Sequence, residues 1–203
     1  MEQSLTIVVP ALDAARGLGA TLDACAEATG AEVLVVDGGS RDATREIARR
    51  RGARVLESAQ GRGRQLALGA GAAQGNWLLF LHADTRPAAG WAGAARAFMP
   101  GGAERAAYFA FALDGPSPEA RRLERLVAWR CRALALPYGD QGLLIARSLY
   151  EAVGGFRPLP LMEDVDLVPR LGTGKRRLVL VAGDLAALRF RRAMLRELAA
   201  RQG

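Results

Sequence analysis

Four short apolar runs, separated by segments of helical spacing, constrain this chain more than any other feature. Leu5 to Val9 is a β-branched run closed by Pro10, and Leu18 to Thr29 follows with apolar residues at helical spacing, ended by Gly30. Glu32 to Val36 leads into "DGGSRDAT", where Gly38 and Gly39 make a tight turn and Ser40 or Asp42 can cap a helix over Ala43 to Arg51. Ala53 to Leu56, a helix over Arg64 to Ala73 and the run Trp77 to Leu81 extend the pattern. Repeated βα units with short connections predict a parallel sheet with right-handed crossovers, a Rossmann-like half. Trp77 to Leu81 is apolar throughout and reads as a strand covered on both faces.

From Ala89 the pattern changes. A helix through Phe98 precedes "RAAYFAFALDG", whose alternating aromatics predict an exposed or antiparallel strand, and then a long arginine-rich helix from Pro118 to about Leu134. Gln141 to Ala146 reads as a strand, and "RSLYEAVGGF" as a short helix stopped by Gly154 and Gly155. "MEDVDLVPRL" starts as a helix in which Pro169 is expected in a first turn rather than deep inside. Leu178 to Val181 is expected as the last strand and Ala186 to Ala200 as a basic amphipathic helix. No internal repeat, low-complexity tract or long linker divides the sequence, so its 203 residues are expected to form one domain with a core of its own.

No run approaches the roughly 18 apolar residues that a membrane span needs. The start, "MEQSLTIVVP", carries an acid and no basic region before its apolar run, which predicts no signal peptide and a cytoplasmic location. Cys25 and Cys131 fall in helical segments without metal-ligand spacing and are expected as buried thiols. A net charge of +7 raises the question of a nucleic-acid partner. The distribution argues against it: Lys175 is the one lysine among 28 basic residues, the arginines spread from Arg16 to Arg201, and aromatics amount to 6%. Arg49 to Arg51 reads as a solvated helix face.

Phosphate loops fail on inspection. In "GRGRQLALGAG" Leu66 occupies the third glycine position of G-x-G-x-x-G, and "GTGKR" lacks both the earlier glycine and the hydroxyl residue after its lysine. The one histidine, His82, has no G-x-S-x-G elbow beside it. What remains is carboxylates at strand ends. Asp37 ends the second strand, Asp84 follows the fourth in "FLHADT", Asp140 precedes the strand at Gly142, and Glu163, Asp164 and Asp166 cluster in one segment. Carboxyl ends of parallel strands share one edge of a sheet, so these acids can meet in one crevice and bind a divalent cation with the phosphates it bridges. Read alone, Asp84 is equally a turn cap before Pro87 and His82 a core histidine.

The order "IVVPALDA", "VLVVDGGSRDAT", "GRGRQLALGAG", "WLLFLHADTRP", "GDQGLLIARSLYEAVGGF" and "LMEDVDLVPRL" closely resembles the family 2 glycosyltransferases of the α/β GT-A fold. More narrowly, it resembles short bacterial members with His-Ala-Asp in place of Asp-x-Asp. The resemblance implies a nucleotide-binding half over 1–88, an acceptor and catalytic half over 89–185, and a basic terminal helix over 186–203. It implies that Asp37 holds the base or ribose of a nucleoside diphosphate sugar, with Pro10, Ala11 and Asp13 lining the base pocket. Asp84 would coordinate Mg²⁺ or Mn²⁺ on the donor diphosphate, with His82 and Ala83 beside it. Arg62, Arg64 and Gln65 are donor contacts, or a solvated arginine pair and its neighbour. Gly139, Asp140 and Gln141 would floor the sugar and acceptor pocket.

The same resemblance makes Asp164 the general base of an inverting transfer to an unknown acceptor hydroxyl, with the charges of Glu163 and Asp166 favouring its protonated form. Some positions depart from the family pattern: His82 replaces an acid, Ala14 another acid and Ala67 an asparagine, and "LRFRR" stands where Q-x-x-R-W is expected. A nucleotidyltransferase would need a G-x-G-x-R loop that "PALDAARGLG" lacks. Two other readings stand beside transfer: a degenerate donor-binding protein, and a basic protein that binds nucleic acid or touches a membrane surface through the terminal helix.

Overall fold

A computed structural model describes residues 3–113, 117–134, 141–159, 162–171, 177–180 and 187–190. Its strands are β1 (Leu5–Ala11), β2 (Glu32–Asp37), β3 (Arg54–Glu57), β4 (Trp77–Phe80), β5 (Thr85–Pro87), β6 (Arg105–Tyr108), β7 (Ala110–Leu113), β8 (Leu143–Ala146), β9 (Arg177–Leu180) and β10 (Ala187–Phe190). The helices are α1 (Ala15–Cys25), α2 (Thr44–Arg50), α3 (Arg62–Ala72), α4 (Trp91–Phe98), α5 (Pro118–Leu134), α6 (Arg147–Ala152) and α7 (Glu163–Leu171).

The central sheet has seven strands in the order β3-β2-β1-β4-β8-β6-β9. The first four are parallel, as the βα repeats predict. β8 then enters antiparallel between β4 and β6, with Phe80 opposite Leu143. That reversal matters for the site, because it brings the start of β8 to the edge where β1, β2 and β4 end. The β4 and β8 side chains are buried throughout, which accounts for their unbroken apolar sequence. A small second sheet, β5-β10-β7, flanks this edge.

The helices are fastened by specific side chains. Arg147 donates to the carbonyls of Ala70 (3.0 Å), Ala73 and Gly75 (3.0 Å), satisfying oxygens at the end of α3 that the helix itself leaves open. Glu27 accepts the amides of Gly90 (3.0 Å) and Ala92 (3.1 Å) at the start of α4, a carboxylate at the positive end of a helix.

Gly63 sets how closely α3 meets the chain after α6: a Cβ there would collide with the carbonyl of Arg157 and stand 2.9 Å from that of Leu159. Gly63→Ala is therefore expected to destabilise by about 1–3 kcal/mol through overpacking. Gly71→Ala in the same helix meets nothing within 4 Å and should be neutral or stabilising. Urea midpoints of the two variants check this contrast.

Three expectations are corrected. Ala187–Phe190 is a strand, antiparallel to β5 and parallel to β7, rather than part of a terminal helix. Two exposed edges offer this segment a backbone ladder, and four residues hold too little periodicity to announce it. β9 is consequently not the last strand; residues 191–203, the rest of the expected basic helix, lie outside the described residues. Pro169 sits well inside α7 rather than in its first turn. The alternating "RAAYFAFALDG" forms two strands in place of one: β6, antiparallel to β8 as expected, is largely buried in the central sheet, and β7 belongs to the small sheet. Cys25 and Cys131 are buried thiols outside any disulfide, as expected.

Candidate functional site

Asp37 ends β2 with 1% of its surface exposed. One oxygen, Oδ2, accepts the amides of Gly39 (3.2 Å) and Ser40 (3.1 Å) in the glycine turn and lies 3.5 Å from Arg45. The other, Oδ1, is buried without a hydrogen-bond partner among the described residues. A buried acceptor left open is costly, so this oxygen points to a ligand or a bound water. Around it the β1–α1 and β2–α2 loops are stapled together. Asp13, with a left-handed φ of 47°, accepts the Arg41 amide (2.7 Å) and donates its own amide to Ser40 Oγ (2.9 Å). Asp42 accepts the amides of Thr44 (2.9 Å) and Ala15 (3.0 Å). Neither expected cap occupies the N-cap of α2, which is Ala43; Asp42 accepts the first helical amide from one position earlier, and Ser40 serves the loop.

Gln65 is almost wholly buried, and its Nε2 donates to the carbonyls of Ala11 (2.9 Å) and Val36 (2.7 Å). It thereby fixes the spacing of the β1 and β2 ends. Gly38 leaves it room, since a Cβ there would stand 3.1 Å from the Gln65 amide. Beside it opens a cleft of about 710 Å³ lined by Pro10, Ala11, Leu12, Gln60, Gly61, Arg62, Arg64, Gln65, Pro158 and Leu159. Residues singled out from separate sequence blocks thus meet in one ligand-sized space. Pro158 and Leu159 were not singled out; the one sequence trace of their approach is the absent side chain at Gly63.

The segment after β4 is held from below. The Ala83 carbonyl accepts Thr21 Oγ1 from α1 (2.8 Å), and Gly17 lets α1 approach until a Cβ would stand 3.1 Å from Asp84 Cα. The Thr85 amide donates to the His82 carbonyl (3.1 Å), closing the turn. The Asp84 side chain still reaches solvent, but the protein around it raises its carboxyl above the usual range, opposed by a backbone hydrogen bond and by Arg62. Burial, reinforced by Arg62 and opposed by Asp164, pushes His82 down to about 4. The imidazole is therefore neutral at pH 7 and can act as a ligand or a hydrogen-bond partner.

A second, narrower space adjoins, lined by Leu66, Phe80, Leu81, His82, Gly142, Leu143, Phe156, Glu163, Asp164, Leu167 and Val168. α7 begins here, after Met162 at a left-handed φ of 64°. Asp164 Oδ1 accepts the Val165 amide (2.9 Å). Glu163 is 1% exposed, accepts a hydrogen bond from Arg62 Nε through Oε1, and keeps Oε2 buried without a partner among the described residues. Arg62 lines the open cleft and Glu163 the crevice, so this ion pair joins the two.

The expected repulsion on Asp164 is corrected by its surroundings. Glu163 is compensated by Arg62, and Asp166 by Arg157 (3.1 Å) and Arg170 (2.5 Å). Gln141 turns away from the crevice: its Nε2 donates to the Phe109 carbonyl (3.1 Å), and its Oε1 accepts from Arg130 (3.3 Å) and the Cys131 thiol (3.1 Å). Its neighbour Gly142 does line the crevice, at a φ of +66° that disfavours any side chain. Gly139 and Asp140 lie outside the described residues. Among the described residues no group of three or more His, Cys, Asp or Glu is arranged to hold a metal by itself.

Similarity to known proteins agrees with this geometry. A family model described as glycosyl transferase family 2 matches residues 6–156. No curated protein sequence matched the chain. Among solved structures, Staphylococcus aureus TarS (residues 1–349) superposes with a TM-score of 0.70 at 17% identity, over 91% of this chain and 60% of that one. Glucosyl-3-phosphoglycerate synthase from Mycobacterium tuberculosis, in complex with Mn²⁺, UDP and glucosyl-3-phosphoglycerate, superposes with a TM-score of 0.67 at 21% identity, over 98% of this chain and 75% of that one. The chain therefore spans about three fifths of the TarS structure. At such identities the likeness shows the fold, the GT-A fold.

Proposed function

Because the chain belongs to glycosyl transferase family 2, we propose that it moves a sugar from a nucleoside diphosphate donor to an acceptor hydroxyl, with inversion at the anomeric carbon. The observation that carries this reading is a pair of spaces at one sheet edge, bridged by the Arg62–Glu163 ion pair. The open cleft is large enough for a nucleotide and bordered by Arg62 and Arg64, and the crevice beside it carries a carboxylate, Asp164, next to a neutral histidine. The unpartnered Asp37 oxygen suits a donor N–H or hydroxyl of the base or ribose. Asp13 holds the loops around it, and Gln65 keeps Pro10 and Ala11 in register.

A divalent cation fits the β4 end only in company. Asp84 offers one solvent-reaching carboxylate two residues after His82, and such a site needs phosphate oxygens and water to complete a coordination sphere. Mg²⁺ or Mn²⁺ held there by Asp84 would supply positive charge against the leaving diphosphate. A solved neighbour of the same fold contains Mn²⁺ and UDP, which supports this cofactor class.

In the transfer the acceptor oxygen attacks the anomeric carbon, its proton passes to Asp164, and the bond from that carbon to the diphosphate breaks with its electron pair leaving on oxygen. Arg62 orients the diphosphate and Arg64 adds charge at its rim. Glu163 holds Arg62 in place.

Calorimetric titration with UDP, GDP and dTDP and their common sugars, with and without Mn²⁺, tests the donor site. One nucleotide is expected to bind, to need the metal, and to lose affinity about tenfold or more in Asp84→Ala, the scale of losing one charge-assisted contact, here the carboxylate's hold on the metal. Binding that ignores both metal and Asp84 would remove the metal assignment. Binding of a donor without turnover on any acceptor would favour the degenerate reading.

A further inference from the structure

Among the described residues no helix is long and apolar enough to cross a membrane, yet α5 presents a surface that water alone does not explain. Leu126 is 59% exposed, Trp129 57% and Leu123 37%, while Trp77 and Trp91 are buried. Leu126 and Trp129 are three residues apart and so share one face of the helix. The opposite face is satisfied by the protein itself: Val127 and Cys131 pack with Tyr108.

Cations outnumber acids along the exposed side of α5. The helix carries five arginines and two glutamates. Glu124 is turned inward, accepting the Leu113 amide (2.8 Å) and pairing with Arg121. Arg122 and Arg125 are exposed beside Leu126 and Trp129, and the second glutamate, Glu119, is exposed one turn before Arg122 at the helix start. The outer surface is thus an apolar centre containing a tryptophan, edged by guanidinium groups.

We propose that this outer face of α5 docks the protein on an anionic lipid bilayer. Tryptophan and leucine enter the boundary between headgroups and acyl chains, and arginines beside them are attracted to anionic headgroups. Other occupants fit the charge less well. Residues 191–203 carry four arginines and one glutamate and would be repelled by the same face, and a second copy of a chain of net charge +7 would meet it with like charge. A nucleic acid would leave the apolar centre without a role.

The placement also bears on the site. Arg130 and Cys131 of α5 contact Gln141, and the next residue, Gly142, lines the crevice with His82 and Asp164. A docked α5 would hold the crevice about one helix diameter, roughly 10 Å, from the lipid headgroups.

Trp129 is the one tryptophan of three that is exposed, so its emission reads the contact without labelling. The whole protein is mixed with vesicles of phosphatidylcholine alone or with phosphatidylglycerol added, without nucleotide. Expected are flotation with the anionic vesicles only, a blue shift of the emission and protection from acrylamide quenching. Raising salt from about 0.1 M to about 1 M, which shrinks the screening length from about 10 Å to about 3 Å, should weaken the binding. Leu126→Ser with Trp129→Ser should lower partitioning about tenfold or more, and Arg122→Glu with Arg125→Glu should do the same, with unchanged thermal unfolding.

Absence of binding to anionic vesicles overturns the proposal. So does binding with unaltered Trp129 emission, or binding that persists in both double variants, since the contact would then lie elsewhere on the chain. The experiment does not involve the donor site, so its failure is separable from failure of the transferase reading.

Discussion

Asp164→Asn is expected to lower the rate of sugar transfer about 10²–10⁴-fold, the usual span for losing a general base, while leaving nucleotide affinity within about twofold. The amide keeps the size of the carboxylate and its bond to the Val165 amide through oxygen, so α7 should hold its geometry. What it loses is a site for the acceptor's proton. An acceptor hydroxyl is a poor nucleophile until that proton departs, and the other described acid lining the crevice, Glu163, is held as a carboxylate by its ion pair with Arg62. His82, held near 4 by burial, would be a weak base at neutral pH. Steady-state kcat and calorimetric donor affinity, measured on one preparation, check the split. A kcat close to that of the unaltered protein would mean that another group takes the proton.

How far the sequence announces such a site depends on whether the relevant interaction is local. The placement of Asp37 and Asp84 at strand ends was legible because a carboxylate at the end of an apolar run, followed by turn residues, is a local signal, and a parallel sheet carries such ends to one edge. The turn at Gly38 and Gly39 was legible for the same reason, and there Asp37 binds the amides of Gly39 and Ser40. Gln65 was singled out for its neighbourhood, but its work, bridging Ala11 and Val36, depends on two strands 54 and 29 residues away. The partner of Glu163 is 101 residues distant, so nothing beside it in the chain tells that its charge is cancelled. The same holds for Asp166, whose arginines come from the preceding loop and the next turn of α7. An inference of repulsion among three neighbouring acids was reasonable locally and was overridden by arginines that folding delivers. β10 escaped because edge pairing, rather than its own four residues, decides its conformation.

The Arg62–Glu163 pair gives the second large effect, because its two partners are unequally exposed. Glu163 is 1% exposed and Arg62 keeps 37% of its side chain in solvent. Arg62→Ala would strand a buried carboxylate, and about 3 kcal/mol of stability should be lost, the lower end of the range for breaking a buried pair because Arg62 itself is partly solvated. Adding Glu163→Gln removes the stranded charge, so the double variant should recover most of that loss while remaining weak in donor binding. A contact made only for stability would instead let donor affinity recover along with the urea midpoint. The single histidine supplies an independent readout. Arg62 is one cause of the depressed proton affinity of His82, so removing its cation should move the His82 titration upward from about 4, observable by NMR without assignment. If the titration stays where it is while stability falls, the arginine acts on Glu163 alone, and the electrostatic link from cleft to crevice is lost from the account.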